Sequence, residues 1–220
     1  MEETIEDMNH IHLENGLDLY LEDDDEVQIT LRKDGQLLSK VVLPWPSSGY
    51  GGGSLIVSDS QNYLVFSYYS GQSEEAFKLY QLTDEINEIF SLNYQFGEAA
   101  SFGFNQAEST LLMAYPLSCS EWWQPWEDDD LEVSESGERF LYFGDIKVLD
   151  IKRNSITHHE IKLKIPNGWE PSTEEYSPYL LPSFTPENSV DLSMPWGKMS
   201  LRFPFGKNIL IDMASKASNA

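Results

Sequence analysis

The chain has 220 residues, with 37 Asp+Glu against 14 Lys+Arg, a formal net charge of -23 at pH 7. So acidic a surface repels phosphate backbones, which excludes nucleic-acid binding, a function that rests on clustered Lys and Arg. With 40% hydrophobic and 13% aromatic residues, the chain can fill a core, and at this length it needs no disulfide or metal staple.

Residues 1 to 26 hold eleven acids and no Lys or Arg, a charge of -11, and are read as an acidic N-terminal segment ahead of the folded domain. Met1-Glu2-Glu3-Thr4-Ile5-Glu6-Asp7-Met8 has no basic stretch followed by an apolar one. No later stretch approaches the roughly 18 apolar residues of a spanning helix. The single cysteine, Cys119, excludes an internal disulfide. A cytoplasmic protein without membrane contact is therefore expected, with no cofactor.

Val27-Gln28-Ile29-Thr30-Leu31 and Leu37-Leu38-Ser39-Lys40-Val41-Val42-Leu43 read as strands of a hairpin, because the Asp34-Gly35 step between them readily takes the positive φ of a tight turn. Ser48-Gly49-Tyr50-Gly51-Gly52-Gly53-Ser54 has no following Lys and runs into a strand pattern. It is read as a flexible lead into the next element, not as a phosphate loop.

From residue 54 the chain repeats itself. Ser54-Leu55-Ile56-Val57-Ser58-Asp59-Ser60-Gln61-Asn62-Tyr63-Leu64-Val65-Phe66-Ser67-Tyr68 aligns at an offset of 47 with Ser101-Phe102-Gly103-Phe104-Asn105-Gln106-Ala107-Glu108-Ser109-Thr110-Leu111-Leu112-Met113-Ala114-Tyr115. Each is strand, polar turn, strand. Ser183-Phe184-Thr185-Pro186-Glu187-Asn188-Ser189-Val190-Asp191-Leu192 is a shorter third copy. A second kind of unit, Phe77-Lys78-Leu79-Tyr80-Gln81-Leu82 with the following strand, is echoed by Ile146-Lys147-Val148-Leu149-Asp150-Ile151 at an offset of 69. The 22-residue difference between the offsets marks an insertion, placed at residues 118 to 139. Residues 214 to 220 read as a tail.

Four strands per repeat at a spacing in the forties, joined by turns such as Ser58-Asp59-Ser60-Gln61-Asn62 and Thr185-Pro186-Glu187-Asn188, resemble WD40-like β-propeller blades, although Trp-Asp and Gly-His signatures are absent. The resemblance implies an all-β domain over residues 27 to 213, made of repeated four-stranded antiparallel units. They amount to three to four blades, which a second chain can complete into a ring; an open twisted sheet or a sandwich fits the same strands.

The insertion carries -7, so with the N-terminal segment it accounts for -18 of the charge and leaves -5 for the remaining 172 residues. Three of the six tryptophans, Trp122, Trp123 and Trp126, adjoin Glu127-Asp128-Asp129-Asp130. Rings beside charge are what interfaces use: aromatic anchors bury area, and the acids steer a cationic surface. The bland alternatives are that the acids only solubilise and that the rings fold back onto the core. Those seven residues are the candidate binding site for a basic protein partner. One form of the function is an immunity or inhibitor protein that neutralises a cationic toxin or nuclease. The alternatives are a carbohydrate-active hydrolase using paired carboxylates with Trp platforms, and a structural subunit of a homo-oligomer closed through edge strands.

No nucleophile elbow, P-loop or dinucleotide fingerprint is present, and no catalytic residue is assigned. Acids around Cys119 disfavour its thiolate. The Asp runs lack the alternating spacing of an EF-hand loop. His158 and His159 are adjacent and so face opposite ways on a strand, whereas His10 and His12 can share a face. With no cysteine cluster beside them, no metal site is assigned.

Overall fold

The computed structural model describes residues 10 to 22, 26 to 46, 52 to 70, 74 to 95, 101 to 116, 131 to 167, 180 to 194 and 197 to 213. Alternating apolar and polar residues dominate these stretches, and the described residues accordingly form strands and no α-helix. The chain divides into two compact units, Met1–Ala99 and Ala100–Ala220, each containing two sheets.

In the first unit, β1 (His10–His12), β2 (Leu17–Glu22), β3 (Glu26–Lys33) and β4 (Gln36–Pro46) make sheet one, and β5 (Gly52–Val57), β6 (Tyr63–Ser70), β7 (Glu74–Leu82) and β8 (Ile86–Gln95) make sheet two. Both are antiparallel meanders in which each strand pairs with the one before it. That is the strand order of a propeller blade. Along β2, Leu17, Leu19 and Leu21 are buried while Asp18, Tyr20 and Glu22 face the other way. The leucines join Val27, Ile29 and Leu31 and, from sheet two, Leu64, Phe66 and Tyr80 in one core. At about 1.5–3 kcal/mol per buried side chain, this alternation outweighs the repulsion among the acids beside it. Among the described residues, the acidic segment before residue 27 thus supplies two strands, β1 and β2, of sheet one. Gly52 and Gly53, expected in a flexible lead, pair with Tyr69 and Tyr68 inside β5.

In the second unit, β9 (Ser101–Phe104), β10 (Thr110–Pro116), β12 (Arg139–Asp150) and β13 (Ser155–Ile165) form sheet three, with β11 (Leu131–Val133) on β12 and β17 (Asn208–Asp212) on the far edge of β13. β17 runs parallel to β13, unlike the antiparallel pairs elsewhere. Sheet four has three strands, β14 (Leu181–Phe184), β15 (Ser189–Met194) and β16 (Gly197–Arg202). Leu112, Ile146, Val148, Ile161 and Leu163 of sheet three pack with Val190, Leu192 and Met194 of sheet four, and Ile209 and Ile211 of β17 close the same core. A bulge between Tyr142 and Gly144 inserts one residue into β12, so inward positions change from odd (Leu141, Phe143) to even (Ile146, Val148).

The repeat seen in the sequence is a repeated turn. Gln61 N donates to Ser58 O, Glu108 N to Asn105 O and Asn188 N to Thr185 O, and in each case the donor residue has positive φ. The first residue's side chain then caps the turn: Ser58 Oγ accepts from Tyr63 N, Asn105 Oδ1 from Ser109 N and Thr110 N, and Thr185 Oγ1 from Ser189 N. Two further hairpins share the geometry with glycine as donor, Gly16 N to Leu13 O and Gly137 N to Ser134 O. The Asp34-Gly35 hairpin is the two-residue kind, with φ of 49° and 77°.

Sheets three and four approach most closely where β9 meets β14. A Cβ at Gly103 would stand 2.7 Å from Pro182 O, a backbone atom that cannot step aside. Gly103→Ala is expected to cost about 1–3 kcal/mol as an overpacking change, whereas Gly206→Ala, whose nearest atom is 3.8 Å away, changes little. Urea unfolding of the two variants side by side measures the difference.

Candidate interaction site

The proposed anchors Trp122, Trp123 and Trp126 and the acids Glu127, Asp128, Asp129 and Asp130 lie outside the described residues, as does Cys119. The stem that carries them is described. β10 ends with Pro116 opposite Gly144, and β11 begins with Leu131 opposite Leu141. Both strands lie antiparallel on β12, which has β13 along its other edge. They thus lie in line along one edge of β12, with residues 117 to 130 between them in sequence. The last part of the insertion read from the sequence, residues 131 to 139, is described: Leu131 packs on the core and the residues after it form a hairpin on β12.

That hairpin is built for a tight return. Ser134 Oγ accepts from Glu138 N at 3.0 Å, and Ser134 N donates to Glu138 O at 2.8 Å. Two ion pairs tie it to β13: Lys162 Nζ donates to Glu132 Oε1 at 2.7 Å, and Lys164 Nζ to Glu138 Oε1. Hydrogen bonding and charge from Lys164 hold the Glu138 carboxyl below its usual 4.5, and Glu138 raises Lys164 in return. Two of the insertion's acids are therefore spent within the chain. Val133, beside them, is 61% exposed.

The face of sheet three that carries Tyr115 gathers chemistry that sequence spacing does not reveal. Lys147 Nζ sits 4.6 Å from the centre of the Tyr115 ring. Burial lowers the Lys147 pKa, and the neighbouring Asp145 charge opposes the shift. His158 Nε2 is 2.8 Å from Asp145 Oδ1, but off the line of a directed hydrogen bond, so that buried oxygen has none among the described residues. These groups meet because Lys147 pairs with His158 and Tyr115 with Asp145 across the ladders. The neighbouring His159 is differently employed: its Nδ1 lies 2.7 Å from Gly206 O, and its ring meets Phe205 edge-on.

A second polar cluster covers the outer face of sheet one. Asp18 Oδ1 accepts from His10 Nε2 at 3.1 Å and His12 Nδ1 at 2.8 Å. His10 stacks on Tyr20, and Arg32 stands 5.1 Å from the same ring's centre. Glu22 accepts from Arg32 and from Gln28, both at 2.6 Å. Among the described residues no three His, Cys, Asp or Glu side chains are arranged around one point as metal ligands, and no helix is long and apolar enough to cross a membrane.

No protein-family model matches the chain, and no curated protein matches it. Similar solved structures include a prolyl endopeptidase, at 13% identity over 88% of this chain with a TM-score of 0.45. This chain spans only 27% of that protein's length. BamB from Moraxella catarrhalis is similar at 11% identity over 90% of this chain and 76% of its own, with a TM-score of 0.32. The β-propeller domain of Cps50 (Swd1) from Myceliophteria thermophila follows at 13% identity over 90% and 73%, with a TM-score of 0.27. At such values the blade-like character rests on the sheets' own strand order and register.

The Lys164–Glu138 pair makes the stem pH-sensitive in a defined direction. Because the folded Glu138 pKa lies below 4.5, its contribution is present above that value and disappears as pH falls through the folded one. The raised Lys164 contributes below 10.5 and is lost as pH rises through its folded value. Glu138→Gln is expected to lower the thermal midpoint slightly at pH 7, since the pair is solvent-exposed, and to match the wild type at a pH low enough to protonate Glu138 in the folded chain. Calorimetry at both pH values checks it.

Proposed function

We propose that the chain is a non-catalytic interaction module that takes a basic protein partner at the acidic, Trp-bearing excursion between Pro116 and Leu131. The observation that carries this reading is the distribution of charge. Arg32, Lys78, Lys162, Lys164 and Lys198 are already paired with Glu22, Glu88, Glu132, Glu138 and Asp191. Five of the ten Lys and Arg on the strands are thus committed to acids of the sheets and hairpins, while 37 acids face 14 cations over the whole chain. The acidic runs thus keep an excess of negative charge, which favours approach of a basic surface.

The stem supports the same reading. The excursion's flanking residues Pro116 and Leu131 are both held on β12, and a segment tied at both ends has less freedom to lose on binding than a free tail. The tryptophans supply apolar area that a purely solubilising loop does not need. A neutraliser of a cationic toxin or nuclease, acting in a reducing cytoplasm, is the concrete form this takes.

Anchor and steering roles separate kinetically. Trp122→Ala with Trp126→Ala is expected to speed dissociation by on the order of 30-fold, the equivalent of about 2 kcal/mol for hot-spot rings. Asp128→Asn, Asp129→Asn and Asp130→Asn together are expected to slow association and flatten its salt dependence. The partner is first captured from the native source with wild type and with a chain lacking residues 117 to 130, then measured by surface plasmon resonance. Unchanged kinetics in both variants would remove the excursion from the interface.

A further inference from the structure

β4, with 11 residues, is the longest strand at a sheet edge among the described residues, and its partner there is β3. One of its faces is occupied: Leu43 is buried, Val41 packs against the core of the first unit, and Ser39 Oγ accepts from Ile86 N at 3.1 Å. The other face is apolar without being buried. Leu37, Leu38 and Val42 are 56%, 41% and 46% exposed, three of the seven large hydrophobic side chains exposed among the described residues. The ladder to β3 steps from Leu31–Ser39 to Arg32–Leu37. Leu38 is therefore the extra residue of a bulge, which is why two successive leucines both reach solvent.

Charge narrows what can cover this strip. Lys40 is the one charged residue in β4, and residues 28 to 43 hold Arg32, Lys33 and Lys40 against Asp34, a local charge of +2 in a chain of -23. A basic surface is repelled here and drawn to the acids elsewhere, while an acidic one is repelled by the chain as a whole. A second copy fits both conditions. Its own least acidic and most apolar strip is the same one, so two strips facing each other about a two-fold axis bury leucine and valine where two acidic chains repel least.

We propose that two copies of the chain join edge to edge through β4, antiparallel about a two-fold axis at Val41. In that register Lys40 lies opposite Val42 of the second copy and Ser39 opposite Leu43, so no like charges face each other. An axis at Lys40 would set lysine against lysine. The paired stretch is short. The bulge at Leu38 interrupts it at one end, and Pro44, which has no N–H to offer, at the other, leaving residues 39 to 43. That is far less than the roughly 20–30 residues a side of a standard stable interface, so the dimer is weak and forms at high concentration. The axis uses both β4 edges, so the assembly closes at two chains.

Analytical ultracentrifugation of the full chain over a roughly hundredfold range of concentration, at low and at high salt, tests the proposal. A monomer–dimer equilibrium is expected, and it shifts toward dimer as salt screens the acidity of the two chains, the opposite of the salt response of an ionic complex. Leu37→Lys with Val42→Lys, both at exposed positions, is expected to weaken association by about tenfold or more, since it places unpaired charge in the contact. Leu210→Lys, at an equally exposed leucine of β17, leaves it unchanged. So does deletion of residues 117 to 130, which separates this proposal from the reading of the excursion. Circular dichroism of each variant confirms the fold. A chain that stays monomeric at every salt and concentration overturns the proposal. So does a dimer that the Leu37→Lys/Val42→Lys variant retains in full, that Leu210→Lys or the deletion abolishes, or that salt dissociates.

Discussion

The structure depends on where a small supply of positive charge is spent. A chain with 37 acids and 14 cations cannot balance every carboxylate, and acids placed on strands lose part of their hydration when the sheets form. Asp18 and Glu22 keep only 21% and 27% of their side-chain exposure, and each is met by a cationic or hydrogen-bonding group: two histidines for Asp18, Arg32 and Gln28 for Glu22. Exposed ion pairs add little stability by themselves. A half-buried carboxylate with nothing facing it would cost more than such a pair returns, so the pairs permit the sheets to be acidic more than they hold them together. The holding is done by the other face of each strand, where Leu17, Leu19 and Leu21 or Ile161, Leu163 and Ile165 enter the cores.

One edge of β12 shows the same division of labour. β12 is long enough to serve two partners along one edge, β10 beside residues 144 to 150 and β11 beside residues 139 to 141. Between these two stretches, the pairing of β12 with β13 on its other edge shifts register at Tyr142/Gly144. Leu131 and the Glu132–Lys162 and Glu138–Lys164 pairs anchor the chain to the sheet immediately after residue 130.

Much of the fold was legible in the sequence because strands and turns announce themselves locally. The Asp34-Gly35 hairpin, the aligned pairs β5–β6 and β9–β10, and the shorter β14–β15 pair all follow from period-two apolar runs around a polar turn. The N-terminal boundary was not legible. Eleven acids in 26 residues read as a solvated segment when charge is counted, yet Leu17, Leu19 and Leu21 alternate between them, and burial of one face decides the matter. The far limit of the insertion was missed for a similar reason, since a three-residue strand is too short to show a period. Spatial clusters were the least legible part. Tyr115, Asp145, Lys147 and His158, or His10, His12 and Asp18, meet only through cross-strand register, which no single strand's sequence states.

The turns explain how such a fold persists while sequences diverge. At positions 58, 105 and 185 the chain needs a side-chain oxygen that can cap the following strand, and Ser, Asn and Thr all supply it. Three residues later it needs a left-handed backbone, met by Gln61, Glu108 and Asn188, and by glycine at 16 and 137. The strands between ask only that alternate residues be apolar and of compatible volume, a condition that many combinations satisfy. None of these requirements fixes an individual residue. The residues least constrained by these requirements are those on the outer faces of the sheets, which neither the turns nor the cores restrict.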